Sequence, residues 1–274
     1  MRNAGLIGLF LGCYPLLAWG PEGHILVAHI AETQLTPAVR ARVAEILGPG
    51  KTMESISSWA DQIRGQRRET GPWHYIDIPI DKPHLDMARD CPKGECVIAK
   101  IEQFAVVLKD PASTADQRRE ALMFIIHFVG DMHQPLHCSD NNDHGGNETR
   151  VVFANRPGNL HSLWDGRLLQ GMGTEEALFA KLEREAEHHR KWGKGTVRKW
   201  AEESHKAAQK VVYGKLPKAP KTLPSTTATA SSALPPAPPV TVDSAYERKA
   251  DPLIAMQIEK AGLRLASLLN ATLQ

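Results

Sequence analysis

Met123-Phe-Ile-Ile-His127-Phe-Val-Gly-Asp131-Met-His-Gln-Pro-Leu-His137 decides how the rest of the chain is read. Its first half is an apolar run too short to cross a bilayer, which takes about 20 residues. Two polar residues sit inside that run, His127 and Asp131. Spaced i, i+4, they share one face of a helix about one turn apart. Burying a His and a carboxylate there is costly without compensation. Either the two satisfy each other as a hydrogen-bonded pair, or both face a metal ion. Pro135 stops the helix, and His137 follows at once.

Outward from this stretch the periodicity is helical, and no convincing alternating strand pattern competes with it. A helix from about Ser113 contains the central run. Upstream, Glu22 to Leu35 and Glu95 to Lys109 carry apolar residues at helical spacing. Thr36-Pro37 reads as an N-cap followed by Pro at the first position of a helix ending at Leu47, before Gly48-Pro49-Gly50. Ser55 to Ile63 is expected as one short helix and 67–94 as loop. Downstream, Leu160 to Leu169, Thr174 to Lys191, Gly195 to Tyr213 and Asp243 to Leu269 are expected helices, with Thr149 to Phe153 the one candidate strand. Residues 215–242, rich in Pro, Ala, Thr and Lys, read as a disordered insertion. The expectation is one all-α domain whose last helix packs back onto the bundle.

At 274 residues the chain is long enough for a sizeable core. Residues 1–18 are apolar apart from Arg2 and Asn3 and end in Leu16-Leu17-Ala18, the pattern of a secretory signal peptide. Trp19 would then open a mature domain of 19–274. The removed segment holds one Arg and no acid, so the net charge of +2 becomes +1. Such a balance gives no general attraction to polyanions; affinity for nucleic acid must come from a local site. No later run is long and apolar enough to anchor the chain in a membrane, and a secreted or periplasmic monomer is expected. Export permits disulfides. Cys91 and Cys96 flank the short turn Pro-Lys-Gly-Glu and are expected to pair; Cys138 is left as a free buried thiol or a metal ligand.

Three further clusters join His127, Asp131 and His137. Trp19-Gly-Pro-Glu-Gly-His24 opens the mature chain. Trp59-Ala-Asp61 precedes Gly71-Pro-Trp-His74-Tyr75-Ile-Asp77. Gly158-Asn-Leu-His161-Ser-Leu-Trp-Asp165 repeats the i, i+4 His–Asp spacing. Neutral imidazole and carboxylate suit zinc, usually in fours or in threes with water. The ligand count exceeds one site and is enough for two or three ions. His29, His84, His133, His144, His188, His189 and His205 lack such partners and are assigned surface or packing roles.

Taken together these motifs resemble the S1/P1 nucleases, secreted zinc-dependent nucleases. The matching pieces run from Trp19-Gly-x-x-Gly-His24 through Gly145-Gly-Asn147 to Asn159-Leu-His161-x-x-Trp-Asp165. The resemblance implies a bundle of the phospholipase C/P1 nuclease type with three zinc ions at the base of a cleft. Carried over, Asp61, His74, His127 and Asp131 would hold one ion, and His137, His161 and Asp165 a second. Trp19, through its terminal amine and carbonyl, would join His24 and Asp131 on the third. Cys91 and Cys96 resemble a disulfide pair of the family. Arg64, one turn beyond Asp61, would contact phosphate, and Asp77 and Tyr75 would bind and stack an unpaired base. The implied reaction is hydrolysis of single-stranded DNA or RNA to 5′-phosphate products, with 3′-nucleotidase activity on nucleotides. One departure stands out: Gly166-Arg167 follows Asp165, where fungal members carry an Asn that helps hold phosphate; Arg167 could substitute electrostatically, and the change bears on substrate preference. The competing readings are a zinc-dependent phospholipase C and a secreted zinc-binding protein without catalysis.

Overall fold

The structure, a computed structural model, describes residues 19–219 and 238–274. The expected signal peptide lies outside them, as do residues 220–237 of the expected insertion. The helices are α1 (Pro21–Thr33), α2 (Pro37–Leu47), α3 (Met53–Ile56), α4 (Trp59–Ile63), α5 (Met87–Asp90), α6 (Val97–Lys109), α7 (Ala115–His133), α8 (Leu160–Ser162), α9 (Leu168–Gly171), α10 (Glu175–His188), α11 (Val197–Ala207) and α12 (Ser244–Thr272). The expected all-α bundle is what forms, with one small sheet added.

α7 is its axis. Thr114 caps the helix by accepting from Gln117 N, and the Gln117 side chain returns to Thr114 N, a reciprocal cap. Every residue from Ala121 to His133 is buried, as befits a helix apolar all round. α6, α12 and α2 pack around it, and α1 packs along α12 while also touching α7. Phe124 and Phe128 stack at 5.0 Å on the face of α7 toward α6, where Phe104 stacks on Phe124 at 4.8 Å. Each such ring withdrawn from water contributes about 1.5–3 kcal/mol. Trp59 and Trp73 set their edges against Phe124 at 5.1 and 5.6 Å. That contact fixes two otherwise short segments, α4 with Asp61 and the 3₁₀ turn Arg68–His74.

Three expectations are corrected. Ser55 to Ile63 is two helices, α3 and α4, parted at Ser57-Ser58. Leu160 to Leu169 is α8, a π-turn over Leu163–Arg167, and the start of α9. The strand Arg150–Phe153 (β1) has two partners: antiparallel Arg156–Asn159 (β2) and, in parallel, Val240–Val242 (β3) from the end of the expected insertion. β2 carries Pro157 opposite Val152, a residue a strand tolerates only at an edge. The β1–β2 turn uses Ala154 and Asn155 at φ 49° and 59°, the left-handed geometry of a tight hairpin.

Candidate metal centre

Five segments converge on the C-terminal half of α7. Within α7, His127 Nε2 lies 3.3 Å from Asp131 Oδ2. His127 Nδ1 donates to the Ser57 carbonyl at 2.7 Å, which leaves Nε2 turned to the site. Asp61 Oδ2 comes within 3.6 Å of that nitrogen, and His74 Nδ1 sits 2.8 Å from Asp131 Oδ2. From α1, His24 Nε2 reaches Asp131 Oδ1 at 3.3 Å while its ring stacks on His127 at 4.0 Å. That stacking needs Gly130, since a Cβ there would stand 2.8 Å from His24 Nδ1.

His137 and His161 form the other half. His137 Nδ1 donates to the His74 carbonyl at 2.9 Å and His161 Nδ1 to the Gly145 carbonyl at 2.7 Å. Both Nδ1 hydrogens are therefore committed, and the two Nε2 atoms face each other at 3.2 Å. Burial brings each imidazole down to about 4, so both are neutral near pH 7. Two lone pairs then point at one another, an arrangement that calls for a cation between them. Asp165 Oδ2 stands 3.5 Å from His161 Nε2, and Gln134 Nε2 holds Asp165 Oδ1 at 2.7 Å. Burial pushes the Asp165 carboxyl well above the usual range, the mark of a carboxylate awaiting positive charge.

The donor set fits metal ions on further grounds. His24, His127 and Asp131 offer ligand atoms within 4.8 Å of one another; so do Asp61, His74 and His127, and so do His137, His161 and Asp165. His24 Nδ1 and Nε2, His74 Nε2 and Asp131 Oδ1 are buried without hydrogen-bond partners, a costly condition that ligation would relieve. Burial disfavours charge on His127, but Asp131 and then Asp61 outweigh it and raise its pKa well above the ordinary value. All eight expected His and Asp ligands are thus brought together. Trp19 is fully buried, and the Gly20 N–H donates to the Asp165 carbonyl at 2.6 Å, tying the start of 19–274 to a ligand-bearing segment.

Above these groups lies a cleft of about 350 Å³. Its wall is made by His74, His137 and His161 from the ligand groups, by Arg64, Tyr75 and Asp77, and by Leu136, His144, Gly145 and Asn147. Arg64 Nη1 lies 3.5 Å from Asp61 Oδ1. Asp77 is open to the cleft yet crowded by protein; burial first, then the charge of Asp140, pushes its carboxyl up to about 6. Arg167 goes elsewhere: its Nη2 donates to the carbonyls of Phe153 and Arg156, bracing the hairpin, and it does not line the cleft. Electrostatic substitution for a phosphate-holding Asn is therefore not what this side chain does here.

Sequence reading missed the wall made by His144, which adopts φ 52° just before Gly145 and Gly146 at 62° and 86°. The Gly-Gly pair was the available signal. Asp143 organises this loop, accepting from Gly146 N at 2.8 Å, Thr149 Oγ1 at 2.5 Å and Tyr213 Oη at 2.8 Å. Cys91 and Cys96 are joined as expected, with Cα atoms 5.4 Å apart. Cys138 is a buried free thiol donating to the Met132 carbonyl, and none of the three ligand groups includes it.

A family model described as S1/P1 Nuclease matches residues 19–274. Endonuclease 2 of Arabidopsis thaliana is 37% identical over 164 residues, 56% of this chain and 56% of that protein. Nuclease P1 of Penicillium citrinum is 35% identical over 169 residues, 58% and 62% respectively. Nuclease S1 of Aspergillus oryzae is 32% identical over 154 residues, 54% and 53%. The matched stretch spans less than two thirds of each relative's length.

Proposed function

The chain belongs to the S1/P1 nuclease family, and from that premise we propose that it is a zinc-dependent phosphodiester hydrolase, an endonuclease cutting single-stranded DNA or RNA to 5′-phosphate products and acting on 3′-nucleotides. The observation that carries this reading is the pair of neutral imidazoles, His137 and His161, facing each other under the cleft, with two more His/Asp groups beside them. Asp61, His74, His127 and Asp131 would hold one zinc ion, His137, His161 and Asp165 a second, and His24, Asp131 and the Trp19 main chain a third. Zinc bound there would neutralise phosphate charge and lower the pKa of an attacking water.

The chain's own side chains do the rest. Arg64 would hold a phosphate oxygen as a planar donor. Tyr75 would stack the base, and Asp77 would hydrogen-bond its edge. A base can enter the cleft only when unstacked, so single strands are favoured. The Cys91–Cys96 disulfide and the apolar 1–18 segment support a location outside the cytoplasm. No helix among the described residues is long and apolar enough to cross a membrane. We propose that it acts as a monomer.

The test is turnover by the purified zinc-loaded protein of single-stranded DNA, duplex DNA and phosphatidylcholine. Faster cleavage of the single strand, with 5′-phosphate ends, is expected. Turnover of phosphatidylcholine alone would instead make it a phospholipase, and turnover of none a binding protein.

A further inference from the structure

We propose that the exposed lysines along α11 and the turn after it form a phosphate-binding track that receives the nucleic acid strand beyond the cleft. This rests on the nuclease reading above and extends it from the scissile bond to the rest of a polymeric substrate.

The first observation is where the charge lies. Residues 190–218 hold nine Lys and Arg against two acids, Glu202 and Glu203. That segment carries +7 in a chain whose total is +2, so everything else sums to −5. Charge this uneven is the electrostatic footprint of a polyanion partner. Of the two acids, Glu203 offsets little of it, because Arg264 and Lys260 engage it at 2.6 and 3.0 Å.

The second is geometry. Lys199, Lys206 and Lys210 are exposed. Spacings of seven and four put them on one stripe of the helix, about 16 Å from end to end. Among the described residues Arg198 pairs with Glu102 at 3.4 Å, while these three lysines make no ion pair.

The third is position. His205 in α11 and Gln209 in the turn after it bond to the segment 80–82. His205 Nε2 and Gln209 Nε2 donate to the Lys82 carbonyl at 2.8 and 3.0 Å, and Gln209 Nε2 also to that of Ile80 at 2.8 Å. Ile80 N donates to the Asp140 carbonyl, and Asp140 Oδ1 accepts from Gly145 N in the wall itself. The segment that carries Lys206 and Lys210 is thus tied, through Ile80 and Asp140, to a residue that lines the cleft. Proteins that hold single strands combine a basic surface following the backbone with an aromatic that stacks a base; here Tyr75 offers the second inside the cleft.

A lipid surface carries negative charge too, but a helix that lies in it needs an apolar face to bury. The apolar side of this segment, Trp200, Ala201, Ala208 and Val212, is already buried in the protein. The strand of a soluble polyanion is the better fit.

The experiment compares the zinc-loaded protein with a variant in which Lys199, Lys206 and Lys210 are changed to Ala. Binding of a cleavage-resistant phosphorothioate oligothymidylate is followed by fluorescence anisotropy across a salt series. Cleavage kinetics are recorded for a long single strand and for a dinucleotide. Each lost phosphate contact removes about 0.7 from the slope of log K against log salt for single strands. The variant is expected to lose about 2 from that slope and to gain about tenfold in KM for the long strand at low salt. Its dinucleotide kinetics and melting temperature should match the parent. Equal slopes and equal long-strand KM in the two proteins would overturn the track while leaving nuclease activity standing. Cleavage of neither substrate by the parent, with the slope difference intact, would sink the nuclease reading and keep the track. Tighter binding of the parent to phosphatidylserine vesicles than to the oligonucleotide would overturn the choice of partner.

Discussion

His137 and His161 show what a single proton can fix. Each gives its Nδ1 hydrogen to a backbone carbonyl, and that choice alone turns the opposite nitrogen toward the centre. Sequence could name both residues, because His161 sits i, i+4 from Asp165 and His137 just past a helix end. It could not name their partners: a carbonyl has no identity in a sequence, and Gly145 became a partner only through a left-handed turn. His144 escaped for the same reason. Asp77 makes the sharpest single-residue claim. Asp77→Ala should raise KM for oligonucleotides about 10–100-fold, the loss of one hydrogen bond to a charged group at about 1.5–3 kcal/mol, with zinc content unchanged by elemental analysis. Unaltered kinetics would make Asp77 an ordinary loop carboxylate. Trp19 makes another: a terminal amine binds metal only when free and deprotonated, and in a longer chain that nitrogen is an amide. A form carrying two extra residues before Trp19 should hold less zinc and lose most of its activity. Equal zinc and activity in both forms would remove the amine from the ligand set.

Among the elements, α7 was legible from end to end, since its caps and its apolar run point to the same helix. β2 was not, because Arg-Pro-Gly-Asn has no strand propensity and pairs only where β1 already stands. β3 was hidden inside a segment whose composition argues for disorder, and its pairing with β1 bridges nearly 90 residues of chain, a long-range contact that local pattern cannot carry. α7 itself tests the packing argument. Ala normally stabilises a helix by about 1 kcal/mol over Gly, yet at Gly130→Ala the new carbon would press on His24 at 2.8 Å. The variant should therefore melt lower and bind less zinc; a higher melting temperature with full zinc would refute the close approach. α1, α3 and α10 meet at His29, whose Nδ1 and Nε2 contact Glu54 and Glu183 at 2.8 and 3.4 Å. Burial lowers its pKa, but the two carboxylates raise it more, so the net value lies above 6.5. A raised folded value means stability that is fully present below 6.5, the unfolded value, and lost as pH climbs through the higher folded value. His29→Gln should thus cost more melting temperature at about pH 5.5 than at about pH 8.5. An equal loss at both would show that the contacts act through packing alone.

For the whole molecule, the centre ties together segments from His24 to Asp165 that are distant in sequence. Each ion bound only by the folded chain stabilises it by about 4 kcal/mol at a thousandfold excess over Kd, worth about 10 °C of melting temperature in a chain this size. Chelation should therefore remove activity and lower the melting temperature together, and zinc should restore both. Loss of activity with an unchanged melting temperature would mean that the ions serve chemistry alone.

The confrontation of His137 with His161 also bears on how long the protein lasts. Without a cation the neighbourhood is locally frustrated: the backbone contacts that seat each imidazole favour an arrangement their lone pairs oppose. Local opening is cheapest where native contacts conflict, and a protease works on whatever opens. The surroundings' supply of zinc would then act as a clock, setting the half-life of each molecule as well as its turnover.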